Sequence, residues 1–246
     1  MAEKKNEDGV TEIQNAISKT EAFIEKNRKV LIYSVIAILA VACLVFLVKK
    51  FYLDPRSEEA QSQLSKGIEL MGTDSIKQAL EGRGDYMGFE AIADEYGSTD
   101  AGNLAKMYAA ECLYNQGQYE KALKYAKDFD YNDAVNVGPA TKIFIGDCCV
   151  NLEKYDEAVA SFKKAAEMNN PALSAIALKK LGSVLEEQKK YDEAVDAYTR
   201  IKNAYPQSNE AQDIEKYIWR AQNKVDLNAV KAAPVAVSAD TVAAQK

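Results

Sequence analysis

Tyr119, Tyr155 and Tyr191 stand 36 residues apart, each inside one phrase: Gly-Gln-Tyr-Glu-Lys-Ala-Leu, Glu-Lys-Tyr-Asp-Glu-Ala-Val and Lys-Lys-Tyr-Asp-Glu-Ala-Val. The Ala of the phrase is Ala122, Ala158 or Ala194, followed four residues on by Ala126, Phe162 or Tyr198, and three further by Phe129, Ala165 or Ile201. Nine residues before each Tyr lies a small residue, Ala110, Gly146 or Gly182. A fixed period of this length means stacked copies of one supersecondary unit. The small residue lets one helix approach its partner closely, so each unit reads as two antiparallel helices packed through a small-residue seam.

This signature of small residue, Tyr, Ala, aromatic and Ala resembles the tetratricopeptide repeat. The family period is about 34 residues, and two more are inserted here. They are expected in the loops around Asn136 to Pro139 and Asn170 to Ala172. The first-helix Trp of the family motif is absent, with Lys106, Lys142 and Leu178 in its place. Three copies are expected, over 103–138, 139–174 and 175–207. Upstream, 57–102 reads as a degenerate copy, with a first helix from Ser57 to Met71, an irregular stretch through Gly72, Gly82 and Gly84, and a second helix over 85–96. Repeat arrays need a cap. The stretch 208–225 supplies one, with Ser208 as N-cap and Ile214, Tyr217, Ile218, Ala221 and Val225 at helical spacing. Residues 226–246, rich in Ala and Val and holding Pro234, read as a disordered tail. The expected fold class is all-α: one N-terminal transmembrane helix, then an α-solenoid of three to four helix pairs and a C-terminal capping helix.

The transmembrane helix is Val30 to Val48, nineteen uncharged residues between Lys26, Arg28 and Lys29 on one side and Lys49 and Lys50 on the other. At about 1.5 Å per residue it nearly matches a hydrocarbon core of roughly 30 Å. Its Leu, Ile, Val and Phe residues together favour insertion by roughly 4 kcal/mol. A cleaved signal peptide is disfavoured by the long 1–29 segment, which carries six acids. Ala40-Val41-Ala42-Cys43 faintly resembles a lipoprotein cleavage box, yet Leu44 to Val48 continue the apolar run past the Cys. Within 1–29, Val10, Ile13, Ile17 and Ile24 mark one face of a short amphipathic helix, suited to a membrane surface or a partner helix, or else continuing the spanning helix.

Residues 1–50 hold 8 basic and 6 acidic residues, against 23 basic and 31 acidic in the remainder, net −8 there. That excess disfavours nucleic acid as a partner. The chain contains no His, which removes the usual general base near neutral pH and the His-bearing zinc sites. No Gly-rich phosphate loop follows a strand. Neither a catalytic site, a cofactor, a metal nor a small-molecule substrate is expected. Cys112 and Cys148 hold the same place in successive repeats, with Cys149 beside them, and read as packing residues.

In the resembled family the ligand generally lies along the concave face of the first helices. Carried over by position, that face comprises Met107, Glu111, Tyr114 and Asn115, then Ile143, Asp147, Val150 and Asn151, then Lys179, Ser183, Glu186 and Glu187. Such a mixture of apolar groups, amides and acids suits an extended or helical polypeptide. The whole layout resembles the YfgM-like ancillary subunits of the bacterial SecYEG translocon. That resemblance implies a non-catalytic scaffold in the bacterial inner membrane, its N-terminus cytoplasmic and its repeats periplasmic, meeting translocon subunits, secretory proteins or chaperones. An envelope or outer-membrane assembly factor, a structural subunit of a membrane complex and a thiol oxidoreductase using Cys148 and Cys149 are the alternatives.

Overall fold

The computed structural model describes residues 2–73, 75–131, 135–168 and 170–224, with backbone alone for 2–24. The chain is all-α: among the described residues no strand occurs, only an isolated bridge between Arg83 and Tyr86. It divides into two units, 1–59 and 60–246.

The first unit is built on α1 (Ala2–Val48), which passes into a π-helical turn (Lys49–Leu53) and then the start of α2 (Asp54–Gly72). A separate short amphipathic helix in 1–29 is not observed, because the helix runs unbroken from Ala2 and nothing in that stretch interrupts its backbone hydrogen bonds. The side chains of Val10, Ile13, Ile17 and Ile24 lie outside the described residues. The apolar run is long enough to cross a membrane, and none of it is buried in protein. A core helix of the same composition would be covered; here Tyr33, Ile38, Val41 and Phe46 are each more than half exposed.

The second unit is the repeat array. Three helix pairs follow one another as α5 (Asp100–Asn115) with α6 (Tyr119–Asp128), α7 (Val137–Asn151) with α8 (Tyr155–Glu167), and α9 (Pro171–Glu187) with α10 (Tyr191–Ala204). Each first helix starts a few residues before the sequence period was cut, and in α7 and α9 this is because the prolines expected in loops lie inside first turns. Pro171 opens α9 and Pro139 sits in the first turn of α7, where a missing N–H costs nothing. Side-chain caps fix two of these starts. Thr99 Oγ1 accepts from the Gly102 N–H at 3.0 Å, and Asn170 Oδ1 from the Leu173 N–H at 3.1 Å.

The seam is where the sequence placed it. Gly146 lies against the Phe162 ring and Gly182 against the Tyr198 ring, each so closely that a Cβ would collide with the ring. Ala110 and Ala126 fill the corresponding places of the first pair with two small side chains, both buried. The second helices are joined across repeats by equivalent ion pairs, Lys127 to Glu157 at 2.9 Å and Lys163 to Glu193 at 3.6 Å. Exposed pairs of this kind add little stability, but they mark the common register of the copies.

Upstream, α2 extends slightly beyond the expected Ser57 to Met71. The stretch after it, read as irregular, contains a short helix α3 (Ile76–Glu81) before α4 (Phe89–Tyr96). Gly82 and Gly88, at φ +95° and +91°, make the turns that separate these pieces. Tyr86 donates its hydroxyl to the Ala79 carbonyl at 2.6 Å and packs with Phe89 over Gly67 of α2. Downstream, the cap is not one helix. Ser208 Oγ accepts from the Ala211 N–H at 3.2 Å and opens a 3₁₀ turn, Asn209–Asp213, which passes into α11 (Ile214–Gln222). Ile214, Ile218 and Ala221 bury the inner face of α11. Val225 and the expected tail lie outside the described residues.

Candidate protein-binding groove

The first helices α5, α7 and α9 carry all twelve sequence-derived groove residues, but the structure gives them unequal parts. Tyr114 and Asn151 join the first two repeats: Asn151 Nδ2 donates to the Tyr114 hydroxyl at 2.9 Å and to the Asp147 carbonyl at 2.9 Å. The Tyr114 ring also packs against Tyr119 and Phe144, at 5.2 and 5.4 Å between centroids. Burial raises the Tyr114 pKa, so its hydroxyl stays neutral in this contact. Between α7 and α9, Asp147, Val150, Lys179 and Ser183 line one cleft of about 210 Å³ together with Phe162, Lys180 and Val184. Lys180 Nζ reaches Asp147 Oδ1 at 2.8 Å and neutralises one wall. The cleft therefore offers an apolar floor between hydrogen-bonding rims.

Two of the twelve are not available to a ligand. Ile143 is 8% exposed because it packs into the core between repeats. Glu186 is buried in a bidentate ion pair with Arg220, at 2.9 Å from Nε and 3.1 Å from the second guanidinium nitrogen. Lys179 is partly committed as well, donating to Asp213 Oδ1 at 3.0 Å and lying 4.7 Å over the Tyr217 ring. Ser183 donates to the Lys179 carbonyl at 3.1 Å, on the same helix. Asn115 stands apart, beside a hollow of about 720 Å³ shared with Ser75, Gln78, Glu81 and Gln118. Met107 is half-buried and Glu111 exposed on α5, outside the α7–α9 cleft, and Glu187 is half-buried at the end of α9.

Lys180, Phe162 and Val184 were absent from the sequence-derived set, as were Asp213, Tyr217 and Arg220. A signal for the last group existed. Lys179 and Glu186 are seven residues apart, and so are Asp213 and Arg220 with the charges exchanged, so two helices in register satisfy both pairs at once.

Cys112, Cys148 and Cys149 are fully buried, and the described cysteines are all free thiols. Burial pushes the Cys112 thiol up to about 11 and Cys148 up to about 12, and raises Cys149 too. A thiol held neutral in this way is a poor nucleophile. Among the described residues no cluster of three or more His, Cys, Asp or Glu side chains could hold a metal ion.

The tetratricopeptide repeat family model matches residues 150–209, across the end of α7, all of α8 to α10 and the turn before α11. The repeats are of the tetratricopeptide type. A second model of this kind, that of the anaphase-promoting complex, cyclosome, subunit 3, matches residues 85–165. Among solved structures, the chain is similar to one titled as the crystal structure of MamA protein, with a TM-score of 0.51 over 72% of this chain and 97% of that one. At 14% identity that likeness speaks for the tetratricopeptide-type fold alone. No curated protein matches the sequence.

Proposed function

We propose that the chain is a membrane-tethered, non-catalytic scaffold whose tetratricopeptide-type groove holds a polypeptide segment of a partner protein. The observation that carries this is the α7–α9 cleft, where Asp147, Val150, Lys179 and Ser183 from two repeats meet around an apolar floor. Such a surface suits a short extended or helical segment with an apolar anchor and polar groups that meet the rims. The apolar run of α1, uncovered by protein over its whole length, supports insertion in a bilayer as the tether.

The finer reading rests on layout. An N-terminal segment, one spanning helix and repeats thereafter match the arrangement of the YfgM-like translocon subunits. On that reading 30–48 crosses the bacterial inner membrane, the N-terminus is cytoplasmic, and the periplasmic repeats meet translocon subunits, secretory chains or chaperones. The domain division follows: 1–29 before the membrane, 57–102 as a degenerate repeat, 103–207 as three repeats and 208–225 as the cap.

The test is photocrosslinking in intact cells from a photoreactive residue placed at Tyr114 or Val150, with mass spectrometry of the adducts. Adducts with translocon or secretory polypeptides support the whole reading. Adducts with other envelope proteins keep the groove and overturn the translocon assignment. Capture of lipid alone, with the repeats folded, overturns the groove.

A further inference from the structure

Three successive gaps lie along the array, α5 to α7, α7 to α9 and α9 to α11, and the 36-residue period sets them side by side. Tyr114 of α5, Val150 of α7 and Glu186 of α9 hold the same place in successive copies. In the first gap that place is filled. The Tyr114 ring lies 5.4 Å from the Phe144 ring of the next first helix and 5.2 Å from the Tyr119 ring, and its hydroxyl accepts from Asn151. In the third gap the chain again closes the position itself. Glu186 is 2% exposed and bound to Arg220, whose guanidinium lies 4.7 Å from the Tyr217 ring.

The middle gap has a short side chain instead. Val150 reaches less far than a Tyr, and beside it stands the cleft of about 210 Å³, floored by Val150, Phe162 and Val184. The frame around the place is otherwise repeated: Lys180 takes the position of Phe144, and Tyr155 that of Tyr119. One short residue therefore opens a seat that the chain's own ring fills a repeat earlier.

The charges at the rim narrow the occupant further. Lys180 is paired with Asp147 at 2.8 Å and Lys179 with Asp213 at 3.0 Å, so the four charges cancel. A carboxylate or ammonium drawn into the cleft would lose its water without a matching charge. An aromatic ring meets no such cost, because its body suits the apolar floor and its π electrons suit the Lys180 ammonium. We propose that the α7–α9 cleft takes one aromatic side chain of the partner segment, seated in the place that Tyr114 fills one repeat earlier. This rests on the groove reading above, and it names the residue class by which that groove selects its ligand.

The test uses the full-length protein in lipid nanodiscs and a displayed library of random short peptides. Peptides selected on the wild-type protein should share one aromatic position, and changing that residue to Ala or Leu should weaken binding at least about tenfold, as for an interface anchor. Val150→Tyr and Val150→Phe fill the seat and should abolish binding, with circular dichroism confirming that both variants fold. A second measurement needs no variant: peptides carrying benzoylphenylalanine at the shared position should photolabel α7 and α9 of the wild-type protein. Peptides that share an aliphatic or charged position instead, and are lost in the filled variants, overturn the aromatic assignment and leave the groove standing. Peptides that bind the folded variants as well as wild type, or label other helices, overturn the cleft as the seat. Recovery of no peptide overturns the groove reading itself, and this inference with it.

Discussion

At the scale of single residues, Glu186 shows how an exposed-helix reading fails. Its place on the first helix of a repeat put it in the groove, yet its side chain is 2% exposed and holds Arg220 of α11 in a bidentate pair. Removing one partner of a buried pair leaves the other charge without compensation, at a cost of several kcal/mol. Glu186→Gln is therefore expected to lower stability by about 3 kcal/mol in urea denaturation, and adding Arg220→Met should restore much of it. Buried thiols give a second expectation. An unfolded cysteine ionises near 9.0, whereas Cys148 in the fold does so at about 12, so the fold's advantage from this group is whole below pH 9. It shrinks as pH rises towards 12, because the unfolded chain loses the proton first. Tyr125, raised by burial from 10.0 to about 12, acts in the same sense. The urea midpoint should stay level between neutral pH and about pH 9 and fall beyond it, with a shallower fall in Cys148→Ala. A midpoint that rises with alkaline pH would contradict the burial of these groups.

At the scale of elements, the helix pairs were legible because the aromatic and the small residue that meet at each seam are both printed in the repeat. Gly182→Ala tests that seam. The added methyl would strike the Tyr198 ring, a strain of about 1–3 kcal/mol, against a helix-propensity gain of about 1 kcal/mol. A net loss is expected at Gly182, whereas Gly72→Ala, with open space around it at the end of α2, should be neutral or stabilising. Thermal melts of the two variants decide it. Less legible were α3, a short helix between Ser75 and Gly82 in a glycine-containing stretch, and the start of α7, where Pro139 reads as a loop residue but occupies a first turn. The clasp between α9 and α11 was missed for another reason. It relates residues 34 apart whose charges have no local signature, and only the exchanged seven-residue spacing of Lys179 with Glu186 and Asp213 with Arg220 betrays it.

At the scale of the whole molecule, the cleft between α7 and α9 was partly visible from sequence. The periodicity named the helices that line it, but side-chain burial decided which positions remained open, and burial depends on neighbours one repeat away. The long apolar helix was visible from composition alone. With L39R/V41R, two charges near the middle of the apolar run would each cost about 2.5–3.5 kcal/mol on insertion. The wild-type chain should stay with membranes through alkaline carbonate extraction, and the variant should be released or fail to insert. Because Glu186 and Lys179 already clasp α11, the far end of the array is stopped with a plug of its own making.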